Sequence, residues 1–288
     1  MSATPTLRWR PVPSRPGMPR RVHRGPWPRR VAVVVLVSVI MFALCWPLWQ
    51  PYDPLAVDYT AASLPPGPGG LFGTDAAGRS LAAGVAAGLR LSLLVAAAAA
   101  LLAAVAGILA GVAAGWLGGG VDVVIMRLVD GVNTIPHLLL GIVLVVFFRG
   151  SLPAMIIAIA LTHWMQVARI IRSVVLPLRD AEHVQAAAVL GYRRWDLLRW
   201  HLLPAIAPQA GICLALLLPH AVWHEATLSF LGVGLQPHQA SLGVLLNTGQ
   251  QAIFTGAWWQ LTFPAAVLVT VTVAISVALR SRHTTTEL

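Results

Sequence analysis

Six apolar blocks, each able to cross a hydrocarbon layer as a helix, constrain this chain more than any other feature. A core about 30 Å thick takes roughly 20 helical residues to span. The blocks run at about 31–49, 89–115, 123–148, 153–176, 204–230 and 258–280. Only 10% of the 288 residues are charged, against roughly 25% in soluble domains. A water-soluble fold cannot hide that much apolar surface. Backbone polar groups inside lipid must pair within their own segment, so the expected class is all-α, a polytopic transmembrane helix bundle of six spans.

All twenty basic residues are Arg, and the formal charge is +10. Spread over a soluble surface this would point to nucleic acid, but the arginines flank the apolar blocks, which makes them a topology signal and no nucleic-acid partner is expected. With six spans both termini lie on one side. If that side is cytoplasmic, seventeen Arg face inward and only Arg79, Arg90 and Arg149 face outward, so the reading is N-in and C-in. Residues 1–30 then form a basic cytoplasmic tail against anionic membrane lipid, and 31–49 form an uncleaved first transmembrane helix. Residues 50–80, rich in Gly and Pro with Asp53, Asp58 and Asp75, form an extracytoplasmic loop. Residues 81–280 make the core, with a cytoplasmic loop at 177–203, and 281–288 a short cytoplasmic tail. Ala96 to Ala100, Ala103, Ala104, Gly107 and Gly111 in the second span allow close backbone approach. Cys45 and Cys213 fall inside apolar blocks and read as small core residues.

The loop at 177–203 is the most informative stretch. Val184, Ala187, Ala188, Gly191, Trp195 and Leu198 follow a helical spacing, which predicts a short amphipathic helix on the membrane surface. The segment Gln185-Ala186-Ala187-Ala188-Val189-Leu190-Gly191, with Trp195, Leu197, Leu198 and then His201-Leu202-Leu203-Pro204, resembles the EAA loop of ABC importer permeases. Gln185 stands where that pattern has Glu. Two small alanines suit close approach to a partner surface, and Gly191 can turn the chain with positive φ.

The resemblance extends from about Phe72 to Arg280. Gly73-Thr74-Asp75 and Gly78-Arg79-Ser80 look like the G-T-D-x-x-G-R-D segment of the dipeptide, oligopeptide and nickel permeases, with Ser80 in place of the last Asp. Gly115-Trp116-Leu117-Gly118-Gly119 with Asp122 and Met126-Arg127-Leu128-Val129-Asp130 resembles the next segment. Leu228-Ser229-Phe230-Leu231-Gly232-Val233-Gly234-Leu235-Gln236-Pro237 resembles the end of the fifth span.

That family implies a multi-pass permease of the bacterial plasma membrane, one subunit of an ATP-driven importer for di- or oligopeptides, nickel or a metal chelate. Its partners would be a second homologous permease, two ATP-binding subunits and an extracytoplasmic solute-binding protein. The EAA loop implies a coupling helix in which Gln185, Ala186, Ala187, Gly191, Leu203 and Pro204 dock on an ATPase subunit. No enzymatic role and no cofactor are expected of this chain, ATP being bound by the partner subunits; G-x-x-x-x-G-K-[ST] is absent and the chain has no Lys. An ion-coupled secondary transporter is the alternative, with Asp130 and Glu225 as its intramembrane candidates. A zinc peptidase fails, because His224-Glu225 is followed by Leu228 where H-E-x-x-H needs His.

Asp130 and Arg127 are three apart and could pair on one helix face. In the fifth span His220 and His224 share a face, with Glu225 beside it. The three are expected near the outer half of the membrane, as an outer gate or part of the solute path. Two imidazoles and a carboxylate suit transient contact with a borderline metal ion.

Overall fold

The computed structural model describes residues 27–67, 70–148 and 150–279. Ten helices dominate it, and no named strand occurs among the described residues. They are α1 (Trp27–Trp49), α2 (Leu81–Leu117), α3 (Gly119–Asn133), α4 (His137–Phe147), α5 (Leu152–Arg179), α6 (Glu182–Val189), α7 (Arg194–Leu197), α8 (Leu203–Phe230), α9 (Leu242–Ala252) and α10 (Trp259–Ala278). Five helical stretches are each long and apolar enough to cross a membrane, and α3 with α4 makes a sixth if the bent pair counts as one span. The all-α polytopic bundle is therefore as expected. Most of the 1–30 tail, the 281–288 tail and Arg149 lie outside the described residues.

Two ends of the bundle follow from the chain path. The terminal end holds the start of α1, the α2–α3 and α5–α8 connections and the end of α10; Arg29 Nε donates to Ala278 O there at 3.3 Å. The loop end holds residues 50–80 and 231–258. There the Thr74 carbonyl accepts from Trp259 Nε1 at 3.1 Å and from Gln260 Nε2 at 3.2 Å.

The packing centre is the face between α2 and α5. Small residues four apart on α2 bring the two backbones together, as helix association in lipid requires. A Cβ added at Gly107 would lie 2.5 Å from Val167 Cβ, at Gly111 2.6 Å from the Ala168 carbonyl oxygen, and at Gly115 2.6 Å from Val175 Cγ1. Ala96, Ala99, Ala100 and Ala103 extend the same helix as fully buried positions. Near the terminal end Asp122 in the first turn of α3 receives both Arg172 Nε (2.5 Å) and Nη2 (2.6 Å) from α5. That two-pronged contact fixes where α3 leaves the seam.

The third span departs from a straight helix. It breaks by 87° between α3 and α4, at Thr134-Ile135-Pro136. Pro136 has no N–H to continue α3 and disfavours helical backbone at Ile135. The second span begins at Leu81, earlier than its apolar run suggests, because the Ser80 hydroxyl accepts from Ala83 N at 3.4 Å and caps the first turn. Ser80 so performs the capping expected of an Asp.

The 50–80 loop is tied down rather than loose. Asp75 accepts from Ala77 N and Arg79 N, both 2.9 Å, and from Arg79 Nε at 2.7 Å, while Arg79 Nη1 reaches Pro54 O at 2.6 Å. Gly78, at φ +80°, has no room for a side chain, since a Cβ would sit 1.9 Å from Asp58 O. Helix α9 is an addition that the apolar blocks did not reveal: at eleven residues it is too short to span.

Replacing Gly111 by Leu is expected to remove the folded subunit from the membrane, since overpacking alone costs about 1–3 kcal/mol and here the backbones must part. Gly120→Leu, where nothing lies within 4 Å of an added Cβ, is expected to leave the folded yield within twofold. Immunoblots of membrane fractions and size-exclusion profiles in detergent check both.

Candidate functional site

Two regions carry the residues singled out by sequence. The first lies at the terminal end, between α5 and α8. Helix α6 holds Gln185, Ala186 and Ala187 and ends at Val189; Gly191 then turns the chain at φ +91°. The predicted helical stripe is thus broken at Gly191 instead of running on to Leu198. Val184, Ala187 and Leu197 face the subunit's own core, and Ala186, Ala188 and Gly191 are exposed. Gln185 Nε2 donates to Asp180 O at 3.2 Å. Arg179 ties this region to α2 by donating from Nη1 to Gly115 O at 3.1 Å.

Exposed apolar side chains cluster on the outer surface of the turn. Val189 is 88% exposed, Leu190 79%, Trp195 64% and Trp200 66%, with Tyr192 also exposed. Past Leu197 the helical path widens into a π turn over Leu198–Leu202, where Leu203 N donates to Leu198 O. Pro204 sits in the first turn of α8 just beyond. Its ring would meet the carbonyl four residues back in a regular helix, and the wider turn removes that conflict. Leu203 is exposed.

The second region lies within the membrane, toward the loop end of α8. His220 and His224 do not stand there alone, because α5 brings His163 and α4 brings His137. The rings of His163 and His224 pack edge to face with centroids 4.7 Å apart; His137 lies 6.0 Å from His224 and His163 6.5 Å from His220. Sequence reasoning missed His163 and His137, since both are single histidines in apolar runs. Their only signal was that each is a polar residue in the middle of a span. His163 is buried, while His137 and His220 are exposed on the surface of the single chain.

Glu225 goes elsewhere. It is fully buried on the face of α8 that meets α2, and bonds three serines. Ser92 Oγ on α2 donates at 2.6 Å, Ser229 Oγ on α8 at 2.9 Å, and the Ser241 hydroxyl bonds the same carboxyl group. Each serine oxygen also accepts a backbone N–H: Leu242 N, Leu235 N and Val244 N respectively. The carboxyl group therefore pins the 231–241 segment and the start of α9 against α2. Gly234 and Gly243 leave no room beside Ser229 for a side chain, which accounts for the Gly-rich end of α8 in packing terms.

Asp130 pairs with Arg169 of α5 and not with Arg127. The kink that separates α3 from α4 tips α3 against α5, and an arginine there reaches the carboxylate across the groove. Both side chains are largely exposed, so the pair is worth little as a clamp. Among the described residues no three His, Cys, Asp or Glu side chains are arranged to hold one metal ion together.

Similarity to known proteins extends over both regions. The sequence profile of the family described as "Binding-protein-dependent transport system inner membrane component" matches residues 107–284. The chain is 37% identical over 240 residues to the oligopeptide transport system permease protein OppC of Escherichia coli (strain K12), covering 83% of this chain and 79% of that one. It is 34% identical over 231 residues to the dipeptide transport system permease protein DppC of Bacillus subtilis (80% and 72%). The nickel transport system permease protein NikC of Escherichia coli (strain K12) is 34% identical over 229 residues (80% and 83%).

Glu225→Ala would strand three buried hydroxyls, each worth about 1–3 kcal/mol when unsatisfied. It is expected to lower the melting temperature of the detergent-purified subunit clearly more than Glu225→Gln, which keeps acceptor and volume. Equal melting temperatures would remove the anchoring role.

Proposed function

Since the chain belongs to the family of binding-protein-dependent transport system inner membrane components, we propose that it is a permease subunit of an ATP-driven importer in a bacterial plasma membrane. It forms the solute path with a second, similar permease and receives solute from an extracytoplasmic binding protein. The cargo is that of its relatives, a di- or oligopeptide, or nickel or a metal chelate. ATP is bound and hydrolysed on two separate subunits, and this chain holds neither nucleotide nor cofactor.

The observation that carries this reading is the apolar surface around Gly191. Val189, Leu190, Tyr192, Trp195 and Trp200 are exposed at one end of the bundle, and a cluster of that kind outside lipid marks a contact surface. It sits on a short helix that Ala187 and Val184 seat against the subunit's core, so movement of a partner reaches the membrane helices directly. Ala187 thus supports the docking surface from beneath, and Ala186, Gln185 and Gly191 lie on its outer side. Leu203 and Pro204 start the helix that carries the movement inward.

The docking end is the cytoplasmic one, N-in and C-in. Arg169, Arg172, Arg179, Arg193, Arg194 and Arg199 gather near it, and residues 50–80 lie at the opposite end, which matches the positive-inside rule. The largely exposed Asp130–Arg169 pair between α3 and α5 is assigned to the solute path.

Leu190→Asp is expected to reduce ATP-driven uptake about tenfold or more with the subunit still in the membrane, since a charge at the centre of an apolar contact costs a hot-spot's worth of binding. Gln185→Ala should stay within about twofold, its only bond being to the exposed Asp180 carbonyl. Normal uptake by Leu190→Asp would remove the docking role. A cysteine at Pro66 should react with an impermeant maleimide from outside, and one at Leu190 only after the membrane is opened. Uptake that persists without ATP and collapses with the ion gradient would instead favour a secondary transporter.

A further inference from the structure

The four histidines are more than a pair on one helix. They come from three separate elements, α4, α5 and α8, and converge on one groove in which His137 and His220 are exposed, His224 is half-buried and His163 is buried. Counted along the helices at 1.5 Å per residue, His224 lies about 9 Å and His163 about 16 Å from the loop-end termini of α8 and α5, within the thickness of the membrane. Imidazoles facing lipid at that depth are costly, so the groove faces water or a partner helix.

What lies beneath the cluster agrees. A cavity of about 150 Å³ opens between α5 and α8, lined by His220, Gln166, Cys213 and apolar side chains. Exposed Gln166 continues the polar line along α5 toward the Asp130–Arg169 pair, and on α8 Gln209 does the same beyond Cys213. The rest of the cavity lining is apolar, from Val167, Ile170, Leu216 and Leu217.

The ring nitrogens are set for a particular chemistry. His163 Nδ1 lies 2.8 Å from Ile159 O, and His220 Nδ1 lies 3.0 Å from Leu216 O. A carbonyl oxygen only accepts, so in each ring Nδ1 carries the proton. In this tautomer the ring's lone pair sits on Nε2. A backbone carbonyl on the far nitrogen is how proteins orient metal-binding imidazoles and raise their basicity.

From this we infer that the cluster is a contact point for a borderline first-row divalent metal ion passing through the permease, bare or held in a chelate with open positions; the inference rests on the importer reading above. The ion is met by pairs of imidazoles, His163 with His224 first, because among the described residues no three His, Cys, Asp or Glu side chains are placed to enclose it. Pairwise contact suits passage, which requires sites weak enough to leave. Imidazole without thiolate or carboxylate selects nickel, copper, zinc and similar ions over magnesium and calcium. Glu225, locked among its serines, takes no part.

The test uses the complete importer in membrane vesicles, with the binding protein and ATP supplied. Uptake of radioactive nickel, as the free ion and as its histidine chelate, is compared with uptake of a labelled dipeptide, for the wild type and for His163→Gln with His224→Gln. Glutamine keeps polarity and much of the volume but lacks the free ring nitrogen. The expected result is a fall in nickel uptake of about tenfold or more, what loss of even an outer-shell partner costs a metal site, with dipeptide uptake, where present, little changed. Whichever nickel form is carried identifies the source. Cobalt(II) titration of the purified chain, read by its visible absorption bands, should show binding that the double variant loses while its melting temperature is kept. ATP-driven dipeptide uptake without nickel uptake in either form would overturn the inference and leave the importer reading intact, as would equal loss of both solutes in the variant. Absence of any ATP-driven uptake by the wild type would bring down both.

Discussion

The close approach of α2 and α5 is the constraint on which the rest of the structure hangs. In lipid, apolar side chains gain little by meeting each other, and helix association relies on contact at short range. Gly107, Gly111 and Gly115 grant that range by leaving the Val167, Ala168 and Val175 backbone and side chains where a Cβ would be. Everything else is attached to this pair. Asp122 and Arg172 hang α3 from α5, Arg179 fastens the end of α5 to the last turn of α2, and Ser92 on α2 holds Glu225 of α8. One seam of small residues so decides the placement of both the exposed apolar turn around Gly191 and the histidine groove.

Much of this was legible in the sequence because a bilayer simplifies the code. Length and polarity alone locate helices when water is excluded, and the small-residue run of the second span announced its packing role. The EAA-like segment and the G-T-D-x-x-G-R-S segment named a family at matching spacings, which similarity over four-fifths of the chain supports. The break between α3 and α4 was signalled by Pro136, although a hydropathy reading passes straight through it. Helix α9 escaped because it is short and mixed in character, and its position is set by the Ser92 and Ser241 contacts rather than by its own composition.

The side-chain pairings were much less legible. Spacing along one helix says which residues share a face but nothing about what the face meets. Four-residue spacing puts His220 and His224 on one helix face, yet the ring that packs against His224 at 4.7 Å is His163, sixty-one residues away in sequence. Glu225 follows His224 by one position, and the roughly 100° turn between neighbours on a helix swings it away from the histidines to the face that meets Ser92 of α2. Asp130 prefers an arginine on another helix to the one three residues back. Each outcome depends on how α4, α5 and α8 are arranged by the α2–α5 seam, information that no single segment holds.

The path from Arg194 to Phe230 has a mechanical meaning. It is helical throughout, 37 residues in all, with a π turn at Leu198–Leu202 as the joint at its foot, and with Pro208 and Pro219 further along as points where a backbone hydrogen bond is missing. The 28 residues beyond that joint make a rod about 40 Å long. A tilt of about 5° at its docking foot sweeps the far end through roughly 3.5 Å, and His220 and His224, near that end, through most of it. That is comparable to the separation between touching rings in the groove. A small rotation at the Leu198–Leu202 end is thereby multiplied into a displacement of a few ångströms at His220 and His224, near the loop end of the bundle.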